Sequence, residues 1–497
     1  MKAFKVCYVS SEVVPFASTS QANGLAYTAK SLTTALKDMD QDVRLMMPKY
    51  KSINERKYVL REVIRLREVE IKLGEDSKTA NGKTAFLPNS KVHVYFLAMP
   101  EYFDRKGFYS DPQNDKDYPD NAERFAIFCR GVLETLKLLY WQPDVIHCSD
   151  WATALIPYYL KTLYKDDDFF KHTSTVLTVH NFANQGQFSA GEAAKLDIPK
   201  APAGGGKSTA KNAPALNLLK IGLEYADVIS TTSQFRLDQI LTDPDETHGL
   251  NDVIQSRKKD LHGILNGTHY NVWDPETDKH LFANYDAKSL SQKEENKARF
   301  FEELDLENDP AMPLLAVFPP LGEAEGEFAP VLDALKEALK RSVRIFLMGN
   351  KDAKLNPKLK KLAKAHPGKI HFFERYDKRF LHLVIASADM VLMDADSADG
   401  YPHQINGMRY GTVPVVRKID GLADSVKPFD PKTAKGNGFI YESHDQADIL
   451  KALEAALDTC SDKKTWSKLQ RSNMRVDFSW EKTARQYLEL YEAAAQK

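Results

Sequence analysis

Short apolar runs alternate with amphipathic stretches along most of this chain. Phe4-Lys5-Val6-Cys7-Tyr8-Val9 is the first apolar run, and a polar loop from Ser10 to Asn23 follows it. From Gly24 to Leu32 the apolar residues recur at helical spacing, and Val43–Pro48 is apolar again. The same order returns as helix 122–139, strand 145–147, helix 152–164 and strand 175–179. Strands that alternate with helices predict parallel sheets with helices packed on both faces.

A second series of the same kind starts at strand 314–318. It runs through helix 328–340, strand 344–348, helix 359–365, strand 370–373, helix 378–387 and strand 390–393. Strand 413–417 and helix 447–458 close it. The chain has 497 residues, which fits two doubly wound halves better than one oversized sheet. The reading is α/β, with an N-terminal domain over 1–262, a C-terminal domain over 263–478 and a last helix over 479–497. That helix is expected to cross back to the first half. No repeat of 20–50 residues is evident. The stretch 201–212 is rich in Gly, Ala, Lys and Ser and reads as a solvated loop. Its Gly206-Lys207-Ser208 lacks the earlier Gly of a P-loop, because position 201 is Ala.

Charge narrows the function classes. Lys plus Arg total 68 against 69 Asp plus Glu, for a net charge of −1. That balance argues against broad nucleic-acid or anionic-membrane binding. No apolar run reaches the ~18 residues of a membrane span. The N-terminus lacks the apolar stretch of a secretory signal. Cys7, Cys129, Cys148 and Cys460 form no CxxC pair and read as reduced core thiols of a cytoplasmic protein. No metal site or cofactor is expected.

In open parallel sheets, ligands sit beyond the carboxyl ends of the strands. Three such loops carry suitable chemistry. Ser10, Ser11 and Glu12 follow the first strand, and Gly24 then starts a helix, where a ligand can approach the backbone N–H groups. Asp150 and Trp151 follow strand 145–147. The carboxylate can accept hydroxyl hydrogen bonds while the indole offers an apolar face. The plainer reading makes Asp150 a helix cap and Trp151 core. His180 and Asn181 follow strand 175–179. The run 117–125 reads as a turn leading into a capped helix.

Taken together, these segments resemble bacterial glycogen synthases and plant starch synthases. The carriers are VSSEVVPFA (9–17), DYPDNAERF (117–125), WQPDVIHCSDW (141–151), TVHNFANQGQF (178–188), GILNGTHYNVWDP (263–275), RYGTVPVVRKIDGLADSV (409–426), GNGF (436–439) and DFSW (477–480). They stand in family order from end to end. The resemblance implies a GT-B fold, two Rossmann-like domains facing a central cleft. It implies retaining transfer of glucose from ADP-glucose to the non-reducing end of an α-1,4-glucan, in glycogen biosynthesis, without an obligatory metal. It makes His180 and Asp150 the catalytic candidates. It makes Glu12, Gly24, Trp151, Asn181, Asn266, Tyr376, Gln404 and Thr412 substrate-binding candidates, with Tyr376 stacked on adenine.

The chain departs from the family pattern on the donor side. The family's Lys-Thr-Gly-Gly-Leu loop is replaced by a longer one without the lysine, and Tyr27 holds a position the family gives to Asp. Aligned on Leu321 and Gly326, two cations become Pro320 and Glu325. The donor-site Glu becomes Ala398. Pro402 stands in the Gly-Leu-Thr segment and has no N–H to offer phosphate. Three cations and a carboxylate at ~1.5–3 kcal/mol each would remove on the order of 6–12 kcal/mol of donor and transition-state binding if additive. Three readings stay open on the sequence. One is a synthase with a rebuilt donor site. The second is a catalytically impaired relative that binds glucan or a partner and regulates polymer synthesis. The third is a transferase using another activated sugar.

Overall fold

A computed structural model describes residues 3–19, 24–198, 216–307, 309–319, 328–349, 355–374, 377–394 and 402–497. The chain divides into two compact units. Unit 1 comprises Met1–Ile264 and Thr483–Lys497, and unit 2 comprises Leu265–Lys482.

The sheet of unit 1 has its first strand near the middle. Its strands are β1 (Lys5–Val9), β2 (Asp42–Pro48), β3 (Asp76–Phe86), β4 (His93–Ala98), β5 (Val145–Ser149), β6 (Ser174–Val179), β7 (Val228–Thr231) and β8 (Leu261–Gly263). They run in the order β8-β7-β6-β5-β1-β2-β4-β3, with Arg61–Glu62 at the far edge and Val69–Leu73 paired to β3. Strands β1, β2 and β4 to β8 are parallel to their neighbours in that group. Val6–Val9 and Val145–Ser149 are buried on both faces, as a helix-covered parallel strand requires. The order reverses between β1 and β5, which makes the ends of those two strands the expected ligand crevice.

Strand β3 departs from the predicted all-parallel sheet. It runs antiparallel to β4. Its sequence, DSKTANGKTAF, is mostly polar and exposed, so no apolar run announces it. The helix expected over 152–164 divides into a 3₁₀ turn, Trp151–Thr153, and an α-helix, Leu155–Lys161. Helix α1 spans Leu25–Asp38 and α2 spans Asn121–Leu138. Gly24 precedes α1 at φ 86°, a left-handed conformation that glycine adopts without steric cost.

In unit 2 the sheet is wholly parallel among the described residues. Its strands are β9 (Leu314–Phe318), β10 (Arg344–Met348), β11 (Ile370–Phe373), β12 (Met390–Met393), β13 (Val413–Arg417) and β14 (Phe439–Tyr441). The order is β11-β10-β9-β12-β13-β14, the doubly wound pattern. Two buried apolar clusters cover its faces. Helices α3 (Ser291–Glu303), α4 (Lys378–Ser387) and α5 (His403–Arg409) belong to this unit. The last helix, α6, spans Trp480–Ala494, and its residues from Thr483 onward belong to unit 1. No helix among the described residues is long and apolar enough to cross a membrane. The four cysteines are buried and free.

Unit 2 contains a buried lysine. Lys293 Nζ on α3 donates to the carbonyl of Ala386 at 2.7 Å and lies 2.8 Å from Thr412 Oγ1. It thereby supplies a donor to the carbonyl end of α4, where intrahelical partners run out. Burial pushes its pKa down to about 7. The unfolded chain therefore binds more protons than the folded one between pH 7 and the ordinary lysine value near 10.4. We expect wild-type stability, relative to Lys293→Met, to rise from pH 7 to pH 9 by at most ~1.4 kcal/mol per pH unit. Urea unfolding of both proteins at several pH values measures this, and parallel pH profiles would contradict it.

Candidate functional site

Asp150 follows β5, and its backbone sits at φ 57°, ψ −175°. That region is nearly exclusive to glycine and costs of order 1–3 kcal/mol for other residues. Several bonds hold the residue there. Its N–H donates to the carbonyl of Thr178 on β6 at 2.9 Å. Its Oδ1 accepts the backbone N–H of His180 at 2.7 Å. Its own carbonyl accepts Thr153 N–H at 3.2 Å. The side chain makes no cap bond to the following turn, so it does not serve as the helix cap of the plainer reading.

His180 is thus delivered to Asp150 by the end of β6. Its Nδ1 lies 3.2 Å from Asp150 Oδ2 without the alignment of a hydrogen bond. Its Nε2 is buried and has no hydrogen-bond partner among the described residues. A buried polar atom left unbonded costs about 1–3 kcal/mol. A hydroxyl or oxyanion placed against Nε2 would recover that cost.

Glu12, after β1, forms a third buried acid or base of the site. The backbone N–H and the hydroxyl of Thr19 donate to it. Tyr109 donates to its Oε1 at 2.9 Å and lies 2.7 Å from Ser11 Oγ. Burial raises the pKa of Glu12, these donors oppose the rise, and the negative charge of Asp150 adds to it. Trp151 is half-buried, with ring centroids of Phe125 at 4.9 Å, Tyr109 at 5.8 Å and Phe188 at 6.0 Å. Gly186 lies flat against the indole, where a Cβ would approach Trp151 to 2.4 Å. Asn181 uses its Oδ1 to accept Ala183 N–H at 2.8 Å and so shapes the loop between His180 and Gly186. The structure thus groups Glu12, Asp150, Trp151, His180 and Asn181 within unit 1. It adds Thr19, Tyr109, Gly186 and Phe188, which sequence reading did not single out as ligand-facing. Tyr109 and Glu12 are 97 positions apart, and no local pattern reports such a pair.

The candidates of unit 2 separate from one another. Thr412 is expected on the C-terminal side of the donor site. Its hydroxyl is fully buried, donates to Ile385 O at 2.6 Å and lies beside Lys293 Nζ. Gln404 is buried, and its Oε1 has no hydrogen-bond partner among the described residues. Asn266 is half-buried at the start of the unit. The next residue, Gly267, is held close to Ser479 and Trp480, where a Cβ would meet backbone at 2.7 Å. Pro402 precedes α5, and His403 stacks on Phe318 with centroids 4.1 Å apart. Tyr27 lies on α1 of unit 1. Tyr376, Pro320, Glu325, Ala398 and the loop 201–212 lie outside the described residues.

Comparison with known proteins finds relatives along the whole chain. Residues 5–256 match the starch synthase catalytic domain, and residues 327–472 match the glycosyl transferases group 1 domain. The glycogen synthase of Chlorobium phaeobacteroides is 35% identical over 492 residues, 98% of each chain. That of Syntrophotalea carbinolica is 36% identical over 493 residues, 99% of each.

The chain belongs to the glycogen and starch synthase family.

Its fold is the family's GT-B fold. The catalytic domain of starch synthase IV from Arabidopsis thaliana, solved with ADP and acarbose, superposes with a TM-score of 0.82 at 25% identity over the whole of both chains. Sucrose-phosphate synthase from Thermosynechococcus elongatus shares the fold at a TM-score of 0.56 and 15% identity, covering 98% of each chain.

The backbone of Asp150 yields a test that needs no substrate. Asp150→Ala and Asp150→Gly both lose the carboxylate and differ only in their tolerance of φ 57°. We expect the glycine variant to be the more stable by about 1–2 kcal/mol, the reverse of the usual order. Chemical denaturation of the two variants decides it, and equal stability or a more stable alanine variant would show the backbone to be unstrained.

Proposed function

We propose that the protein transfers glucose from ADP-glucose to the non-reducing end of an α-1,4-glucan, with retention of configuration. The observation that carries the reading is the Asp150–His180 pair at the crevice of unit 1. Both buried imidazole nitrogens there lack a hydrogen-bond partner among the described residues, and the half-buried Trp151 follows Asp150 directly in the chain. In the proposed complex the glucosyl unit packs an apolar face on Trp151, and His180 Nε2 meets a hydroxyl of the transferred sugar. Asp150 holds the His180 backbone and keeps a carboxylate beside the imidazole. A sugar oxonium-like centre formed during transfer is favoured by that charge. Glu12, held by Thr19 and Tyr109, bounds the site on the β1 side. The related starch synthase IV structure holds ADP and acarbose, and full-length relatives are glycogen synthases. Those names support ADP-glucose as the donor and a glucan as the acceptor. Nothing in the comparisons favours the reading of a catalytically impaired relative.

Purified protein supplied with 14C-labelled ADP-glucose and maltoheptaose should form longer labelled oligosaccharides. Asp150→Asn and His180→Ala should each lower kcat by ~10²–10³ while glucan binding persists. Absence of label from wild-type enzyme at millimolar donor would overturn the proposal. So would label with UDP-glucose but none with ADP-glucose.

A further inference from the structure

Behind the Asp150–His180 pair, unit 1 buries a chain of polar side chains that the reaction itself does not use. His147 is the middle residue of β5 and fully buried. Its Nδ1 is 2.8 Å from the hydroxyl of Tyr491 on α6, and its Nε2 is 2.6 Å from Thr178 Oγ1 on β6. Thr178 Oγ1 is in turn 2.6 Å from Ser230 Oγ on β7. The hydroxyl of Tyr487, one turn before Tyr491, also bonds to Thr178 and Ser230. Tyr8 on β1 packs over the imidazole with centroids 4.5 Å apart, and Tyr487 does so at 5.4 Å. All of these residues are at most 1% exposed.

Such a chain costs free energy unless every member is bonded, and when bonded it selects one arrangement. Its placement gives that selection a consequence. Thr178 is the residue whose carbonyl accepts the N–H of Asp150, and two positions later β6 presents His180. The hydroxyl and carbonyl of one residue therefore join the buried chain to the strained backbone of the site. Burial drives the His147 pKa down to about 3, so the imidazole is neutral and contributes one N–H. Its two neighbours fix which nitrogen carries it.

We propose that Tyr491 and His147 are positioning residues for Asp150 and His180, acting through Thr178. The last helix thereby sets the alignment of the site from behind the sheet. The kinetic part of this inference rests on the transfer activity proposed above, and the structural part does not.

Four variants test it with two readouts. Tyr491→Phe and Thr178→Val each delete one hydroxyl. Thr178→Ser keeps the hydroxyl and serves as the rescue. Phe4→Leu loosens the ring that packs edge-on against Tyr491 at 6.2 Å and serves as the packing control. The first readout is steady-state kinetics, and the second is hydrogen–deuterium exchange of the peptide containing the His180 amide. Tyr491→Phe and Thr178→Val should lower kcat about tenfold, with KM for donor and glucan within about twofold of wild type. They should also speed exchange at His180. Thr178→Ser and Phe4→Leu should do neither, even where the melting temperature falls as far. The proposal is wrong if kcat and exchange are unchanged in the first two, or if Phe4→Leu reproduces both effects. Wild-type enzyme without transfer would remove the function proposed above, and the exchange experiment would still decide this one.

Discussion

The site depends on one tie between neighbouring parallel strands, the carboxylate of Asp150 accepting the backbone N–H of His180. A strand end in a parallel sheet has no ladder partner for its last amides, so the chain must supply one. Here a side chain from the adjacent strand end does so, while its own N–H returns to Thr178. The two bonds close a small ring across the ends of β5 and β6. That ring explains the backbone of Asp150: a relaxed φ would swing the carboxylate away from the His180 amide. Strain at one residue is what places two functional groups side by side.

The two units solve the same burial problem with different chemistry. In unit 1 the strands carry neutral hydroxyls and a neutral imidazole inward, and the last helix satisfies them. Unit 2 buries ion pairs beside neutral groups such as Gln404 and Thr412. Lys297 pairs with Asp389 at 2.8 Å, and Asp278 bonds both His382 at 2.6 Å and Tyr410 at 2.7 Å. Buried ion pairs are weak sources of stability because desolvation offsets attraction, but loss of one partner is costly. The neutral chain of unit 1 adds no fixed charge behind a site that already contains two carboxylates. A buried ion pair there would impose its own field on Asp150 and Glu12.

Much of this architecture was legible in the residues, for a physical reason. Strands buried on both faces are apolar throughout, so Leu314–Phe318, Arg344–Met348 and Met390–Met393 stood out as runs without any alternation. Strand β3 did not, because only three of its eleven residues are buried, and those are Ala80, Gly82 and Ala85. The loop positions of Asp150 and His180 followed from the rule that ligands sit at carboxyl ends. Their pairing did not, since it depends on register between strands about 30 positions apart. The resemblance puts Thr412 on the donor side, and only the packed structure shows Lys293 reaching it from α3.

The carboxylates in the crevice of unit 1 are held by uncharged donors, whatever the near-neutral total of the chain. Asp150 and Glu12 repel each other, and burial opposes ionising Glu12. Thr19 and Tyr109 direct three donors at Glu12 and favour its anion. Asp150 has the His180 amide on one oxygen and the imidazole beside the other. Neither acid has an arginine or lysine partner among the described residues, so neither is neutralised by an ion pair. Donors without formal charge stabilise a carboxylate while leaving its field intact. A crevice built this way keeps a negative potential that an arginine at the same distance would cancel.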